Sequence, residues 1–382
     1  MISRRRLALA AALPAIMKTQ AQTQPPYKGP LAKFSGQVKD SDFDSLEYSL
    51  LRYKEMPRRL GFQATDRKSA EAWQKKLRAK VTELVGGFPQ QRTPLQPRIL
   101  ETREFPGYTR ETVVFTSRPG LEVFGYLMIP KGKAKPMPAV ISIPGHGFGV
   151  NDISGIDDKG NERTVKGPYA YDYALQIVEN GMAALAIEPL GFGCRRDAAA
   201  RSKNGGTSSC QPSAGAALLF GETMVGWRVW DIIRSVDYLE TRKEFDPRRI
   251  GLMGISGGGT CTVFGAALEP RISAAFVSGY LNTFRDSILS LSHCIDNYVP
   301  GILQWCEQYD VAGLIAPRPL FCESGVKDPI FPVNAFKESF ANVSKVYEAF
   351  GAQDRIGHEI HPGAHVFSGK QGLPFLAKHL KA

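Results

Sequence analysis

Arg249-Ile250-Gly251-Leu252-Met253-Gly254-Ile255-Ser256-Gly257-Gly258-Gly259 is the stretch that decides how this chain reads. Its first half is a short apolar run, which predicts a buried strand. Its second half is small and glycine-rich and predicts the start of a helix. Between them lies G-x-S-x-G. A serine caught between a buried strand and a helix must stand on a sharp turn, and the flanking glycines let the backbone make it. Such a turn lifts the hydroxyl above the sheet edge and brings it beside the unpaired N–H groups of the helix start, which favour nearby negative charge. The pattern alone is common. Its context gives it weight: an amphipathic helix predicted over 225–239 and an Asp246-Pro247 break come before it.

Outward from this turn, apolar runs at 139–143, 183–187, 250–255, 274–278, 319–323 and 357–361 alternate with helical patterns at 169–179, 225–239, 333–350 and the C-terminus. Strands without a polar face, alternating with helices, predict an α/β architecture: a mostly parallel, doubly wound sheet covered on both sides. Upstream, two alternating runs at 111–117 and 121–129, joined by Arg118-Pro119-Gly120, predict an antiparallel hairpin leading into it. A helix is expected near 45–54. Another is expected over 67–84, where Ala70, Trp73, Leu77, Val81 and Leu84 share a face and Gly86-Gly87 follows. The expected division is a leader at 1–21, a partly helical extension at 22–105 and the α/β domain at 106–382. Two stretches, 191–221 and 281–317, fall outside the alternation. Insertions on a rigid sheet usually shape its pocket. Tyr280, Phe284, Tyr298 and Trp305, with His146, are the expected pocket residues.

A serine hydroxyl is a weak nucleophile at neutral pH unless a base, itself oriented by a carboxylate, takes its proton. On a sheet of this kind the chain order is serine, acid, histidine. His365 stands just past the last predicted strand, in His361-Pro-Gly-Ala-His365, where a base has to be. His361 is its rival, but the proline that follows suggests that it closes the strand; His379 falls in the terminal helix. Asp328, in the loop after the 319–323 strand, is preferred as the acid over Glu323 at the strand end, because a loop carboxylate reaches the next loop. The amide after the nucleophile, Gly257, and one from Pro144-Gly-His-Gly-Phe-Gly149 are expected to receive an oxyanion. Phe148 is the chosen second donor and Gly147 the alternative. His146 has no ligand-type neighbours in sequence, so neither a metal nor any other cofactor is expected.

The 382 residues carry 48 Lys and Arg against 37 Asp and Glu, a formal net charge of +11. Part of this excess is Arg4-Arg5-Arg6; the rest is scattered among residues of both signs. A nucleic-acid binder would gather its basic residues on one element beside stacking aromatics, and no such element occurs. The basic start, the apolar run at 8–17 and the polar residues after it predict an export leader of twin-arginine type, with cleavage after Ala21. That run is too short to span a bilayer, which needs about 20 apolar residues, so no stable membrane insertion is expected. Six cysteines are compatible with an oxidising compartment. Cys194 with Cys210 and Cys294 with Cys306 are possible pairs, whereas Cys261 and Cys322 fall on core-like elements. The sequence leaves the oligomeric state open.

The motifs already quoted, with Glu188-Pro-Leu-Gly-Phe-Gly193, Asp310-Val-Ala-Gly-Leu-Ile-Ala-Pro-Arg-Pro319, Gly325-Val-Lys-Asp328 and Gly363-Ala-His365, resemble the bacterial dienelactone-hydrolase-like and acetyl-xylan-esterase-like branch of the α/β-hydrolases. The resemblance runs from about residue 112 to the C-terminus. It implies an α/β-hydrolase fold with Ser256 as nucleophile, Asp328 as acid and His365 as base. It further implies hydrolysis of small-molecule or carbohydrate esters, acetylated polysaccharides among them. Gly257 departs from the glutamine usual after the serine in cephalosporin-C deacetylases. Ser256 departs from the cysteine of dienelactone hydrolases proper, and the Cys-Ser-Arg of glucuronoyl esterases is missing. A peptidase or amidase using the same three residues, and a catalytically silent binding protein on the same fold, are the competing expectations.

Overall fold

The computed structural model describes residues 29–34, 36–203 and 206–381; the expected leader lies outside them. Nine strands form one sheet: β1 (Arg98–Glu104), β2 (Tyr108–Arg118), β3 (Leu121–Pro130), β4 (Met137–Ile143), β5 (Ala183–Ile187), β6 (Phe245–Ile255), β7 (Ala274–Ser278), β8 (Leu320–Gly325) and β9 (Ile356–His361). Their order is β1-β2-β3-β5-β4-β6-β7-β8-β9. The pairs among β1, β2, β3 and β5 are antiparallel, and those from β5 through β4 to β9 are parallel. This is the α/β-hydrolase arrangement that the sequence predicts, with β1 added to the hairpin. Every residue of β1 is exposed, so its Arg-Ile-Leu-Glu-Thr-Arg-Glu carries no burial pattern to read.

Alternate side chains of the inner strands enter opposite cores, as the period of two requires. Ile250 and Leu252 of β6 and Ala275 and Val277 of β7 face one side. Met253, Ile255, Ala274 and Phe276 face the other. Helices Arg67–Leu84, Met224–Thr241 and Gly257–Leu268 contribute to the first core, and Tyr173–Glu179 and Gly372–Lys381 to the second.

The compact unit that holds the sheet begins at Ser49. Helix Arg67–Leu84 buries Ala70, Trp73, Leu77 and Val81 in the first core. Gln74 Nε2 donates to the Gly313 and Ala316 carbonyls, and Arg78 to those of Ala267 and Leu314. The smaller unit, up to Tyr48, contains the 3-10 turns Gly29–Phe34 and Asp40–Phe43 among its described residues. The helix expected from 169 starts only at Tyr173, because Tyr171 and Asp172 take left-handed φ of 48° and 50°. That leaves Tyr169 on a loop.

Two buried carboxyls tie loops at the C-terminal ends of the strands. Glu188 accepts from the amides of Val150 and Cys194, and burial pushes its pKa from 4.5 up to about 8. Glu323 accepts from Ser278 Oγ and from the amides of Ser368 and Gly369, and burial pushes it to about 7. Each holds its proton in the folded protein at pH values where the unfolded chain has released it. Their contribution is therefore fully present below pH 4.5 and is lost as pH rises through about 7 to 8. Denaturant titrations from pH 5 to 9 are expected to show stability falling by on the order of a few kcal/mol. Glu188→Gln should flatten that slope; an unchanged slope would show that Glu188 is ionised throughout.

Candidate active site

The strand–turn–helix at the sheet centre forms as the sequence requires. β6 ends at Ile255, the helix begins at Gly257, and Ser256 between them adopts φ 57°, ψ −119°, a conformation that L-residues avoid. Its amide donates to the Ser278 carbonyl at 3.0 Å, pinning the turn to β7. The helix can lie this close to β4 only because Gly258 has no side chain: a Cβ there would run into the Ile143 carbonyl.

His365 and Asp328 meet across two loops. His365 Nδ1 lies 2.7 Å from Asp328 Oδ2, and the Asp328 side chain is fully buried. The other oxygen, Oδ1, accepts from the amides of Ile330 at 2.9 Å and Phe331 at 3.0 Å, which fixes the carboxylate plane. The imidazole stacks on Phe331 at 5.5 Å between centroids. Its Nε2 is buried with no hydrogen-bond partner among the described residues. His365 and Ser256 line one open cavity of about 530 Å³, together with His146, Tyr169, Leu291, Ser292, His293, Cys294, Pro329 and Ile330. Burial lowers the pKa of His293 in this wall to about 4.

The rivals point elsewhere. His361 Nδ1 accepts from the Gly363 amide and closes the turn after β9, His379 packs on Phe375, and Glu323 is engaged as described above.

Some expectations fail. The Phe148 amide is already committed to Asp152 Oδ2 at 2.7 Å and is not free for an oxyanion. None of the four insertion aromatics lines the cavity. Tyr280 and Phe284 are buried in the first core, where apolar bulk is best satisfied. Tyr298 donates to the Ile288 carbonyl and borders a separate cavity. The Trp305 ring lies under the Arg59 and Lys80 cations. The wall is made instead by 291–294, a stretch with no apolar periodicity. Tyr169 was also missed. Its hydroxyl lies against Ser256 and burial raises its pKa, but in sequence it looks like one more residue of a helix.

The cysteines do not pair as expected; all six are free thiols. Cys194 and Cys210 lie apart in their surroundings: Cys210 is hydrogen-bonded to Cys294, from the other insertion. Its Sγ is 3.6 Å from His146 Nε2 and 3.2 Å from Asp296 Oδ2. Cys294, then His146 and the Arg228 cation, pull the Cys210 thiol below the usual thiol range against the effect of burial. Burial alone would raise Asp296, but Arg228, 2.5 Å away, holds it below the usual carboxylate range. His146 therefore has in space the ligand-type neighbours that it lacks in sequence.

Comparison with known proteins agrees with this fold. The hydrolase by name YtaP of Bacillus subtilis is 26% identical over 285 residues, covering 72% of this chain and 89% of its own length. A Bacteroides fragilis structure named as an acetyl xylan esterase superposes with a TM-score of 0.76 at 19% identity, covering 89% of this chain and 95% of that one. The glucuronoyl esterase of Solibacter usitatus gives 0.61 at 18%, covering 86% and 100%. At these identities the two structures establish a shared fold. The pattern of the Abhydrolase family matches residues 52–359, and with the sheet, the serine turn and its C-terminal loops in place, this chain belongs to that family.

Proposed function

We propose that the protein is an exported serine carboxylesterase. The observation that carries this reading is His365: its Nδ1 is fixed by a buried, doubly anchored Asp328, and its Nε2 has no partner among the described residues in the cavity that holds Ser256 on a strained turn. Asp328 selects the tautomer with the proton on Nδ1, so Nε2 is the basic nitrogen. It takes the Ser256 proton as Oγ attacks the ester carbonyl, then returns it to the departing alcohol. The same nitrogen next draws a proton from water, which attacks the acyl-serine and frees the acid.

The oxyanion needs two N–H donors close to Ser256. Gly257, at the helix start, supplies one. With Phe148 engaged, the second role passes to the amide of His146: its ring lies against Gly257 and lines the cavity, and no hydrogen bond among the described residues engages that amide. Gly147 lies against Asp152 and does not line the cavity. The cavity is open, and its wall carries Ser292 and His293, polar groups suited to hydroxyls on the alcohol side. That favours short acyl esters of carbohydrates over long-chain lipids, in line with the acetyl-xylan-esterase name of the Bacteroides fragilis relative in fold.

Hydrolysis of p-nitrophenyl acetate, butyrate and laurate tests the reading. Acetate is expected to turn over fastest, and Ser256→Ala to reduce its rate by about 10⁴-fold to 10⁶-fold. Laurate preference would overturn the short-acyl assignment. No turnover of any ester, with no fluorophosphonate labelling of Ser256, would overturn the serine mechanism.

Asp328→Asn separates orientation from bulk. It should lower kcat by about 10⁴-fold with KM nearly unchanged, because the amide favours the wrong imidazole tautomer. Glu323→Gln should leave kcat within about tenfold of wild type. A larger loss in the Glu323 variant would exchange the two roles.

A further inference from the structure

Beside the serine cavity, four side chains from three separate segments converge: His146 after β4, Cys210 at the start of helix Cys210–Leu219 in the 191–221 insertion, and Cys294 and Asp296 in the 281–317 insertion. One ligand-type atom from each lies within 4.8 Å of all the others. We infer that this cluster is a structural zinc site, built to hold the two insertions against the loop that follows β4.

The distances match the chemistry. Zinc takes sulfur at about 2.3 Å and nitrogen or carboxylate oxygen at about 2.0–2.2 Å, so tetrahedral angles put those ligand atoms roughly 3.3–3.8 Å apart, the two sulfurs farthest. Cys210 Sγ to His146 Nε2 is 3.6 Å, His146 Nε2 to Asp296 Oδ2 is 3.5 Å, and Cys210 Sγ to Asp296 Oδ2 is 3.2 Å. Soft thiolate with imidazole selects zinc over magnesium or calcium, which prefer oxygen.

A surrounding shell orients the ligands, as real metal sites require. Asn297 Nδ2 donates to Asp296 Oδ1 at 3.0 Å, and Thr260 Oγ1 in turn donates to Asn297 Oδ1. Arg228, buried over the Phe192 ring, reaches Asp296 Oδ2 at 2.5 Å and Cys210 Sγ at 3.4 Å. Charge closes as well: two thiolates and a carboxylate against Zn²⁺ leave one negative charge, which the Arg228 guanidinium neutralises. Binding displaces to solvent the thiol protons that remain at the working pH, and no redox step is involved. Four protein ligands leave no position for a substrate or a reactive water, so the site is structural. The inference stands on these side chains and does not rest on the serine mechanism, although His146 serves both through different atoms, its ring here and its amide at the oxyanion.

The test is metal analysis and cobalt substitution of the full chain. The purified protein should carry about one zinc per chain, and Cys210→Ser/Cys294→Ser below about a tenth of that. To separate metal loss from misfolding of that variant, the wild-type protein is also stripped and reloaded with Co²⁺. A thiolate-to-cobalt band in the near-ultraviolet and intense visible bands of tetrahedral Co²⁺ are expected, together with a higher Tm on reloading. Fluorophosphonate labelling of Ser256, followed in parallel, reports the serine reading separately. No zinc and no thiolate-to-cobalt band would overturn the site. So would a Cys210–Cys294 disulfide found by peptide mapping of the protein as isolated.

Discussion

The close approach of a helix to a strand sets the terms for the rest of the molecule. Gly258 lies against the Ile143 carbonyl, at a separation that no side chain allows, so helix Gly257–Leu268 starts directly behind β4 with no room for a gentle turn. The bend is concentrated in one residue, Ser256, whose backbone is held at φ 57° by the packing on both sides and by its bond to β7. Strain at one residue persists only where its surroundings over-determine it. Here they do: β6 is an inner strand, with β4 and β7 as its neighbours, and its residues enter both cores. The stability of the sheet holds the serine in place.

The histidine and the aspartate are held differently, by loops, and loops need local anchors. Asp328 has two backbone donors on one oxygen, leaving the other to His365. Glu323, which accepts from three groups of β7 and the 368–369 turn, does not touch the imidazole but fixes the chain that follows it. Two acidic residues five positions apart thus divide the work. One orients a ring by direct contact, and the other orients the loop that carries the ring.

How much of this is legible in the sequence depends on whether a residue's role is local. The Ser256 turn, the alternating apolar runs of β4 to β9 and the position of His365 are written in short-range pattern, and the structure places them accordingly. What the pattern hides is where spatial neighbours override it. β1 has no buried face and so no period. Tyr169 looks helical, but the left-handed pair Tyr171 and Asp172 delays the helix. The insertion aromatics Tyr280 and Phe284 look like a pocket lining, but burial in the core is their better outcome. The Phe148 amide was a reasonable donor until Asp152, four residues on, is seen to accept from it. The Cys210, Cys294 and His146 grouping joins residues dozens of positions apart, and no spacing rule reaches that far.

The exposed strand β1 has a consequence of its own. An outermost strand offers a row of unpaired backbone groups on which a neighbouring molecule could continue the sheet. On β1, Arg98 pairs with Glu122 of β3 and Arg103 with Glu162, while Glu101 and Glu104 add charges of the opposite sign. Any chain docking there edge to edge would have to strip water from these groups and meet fixed charge of both signs along its length. The seven-residue border that carries no apolar signature thereby opposes continuation of the nine-stranded sheet at this edge.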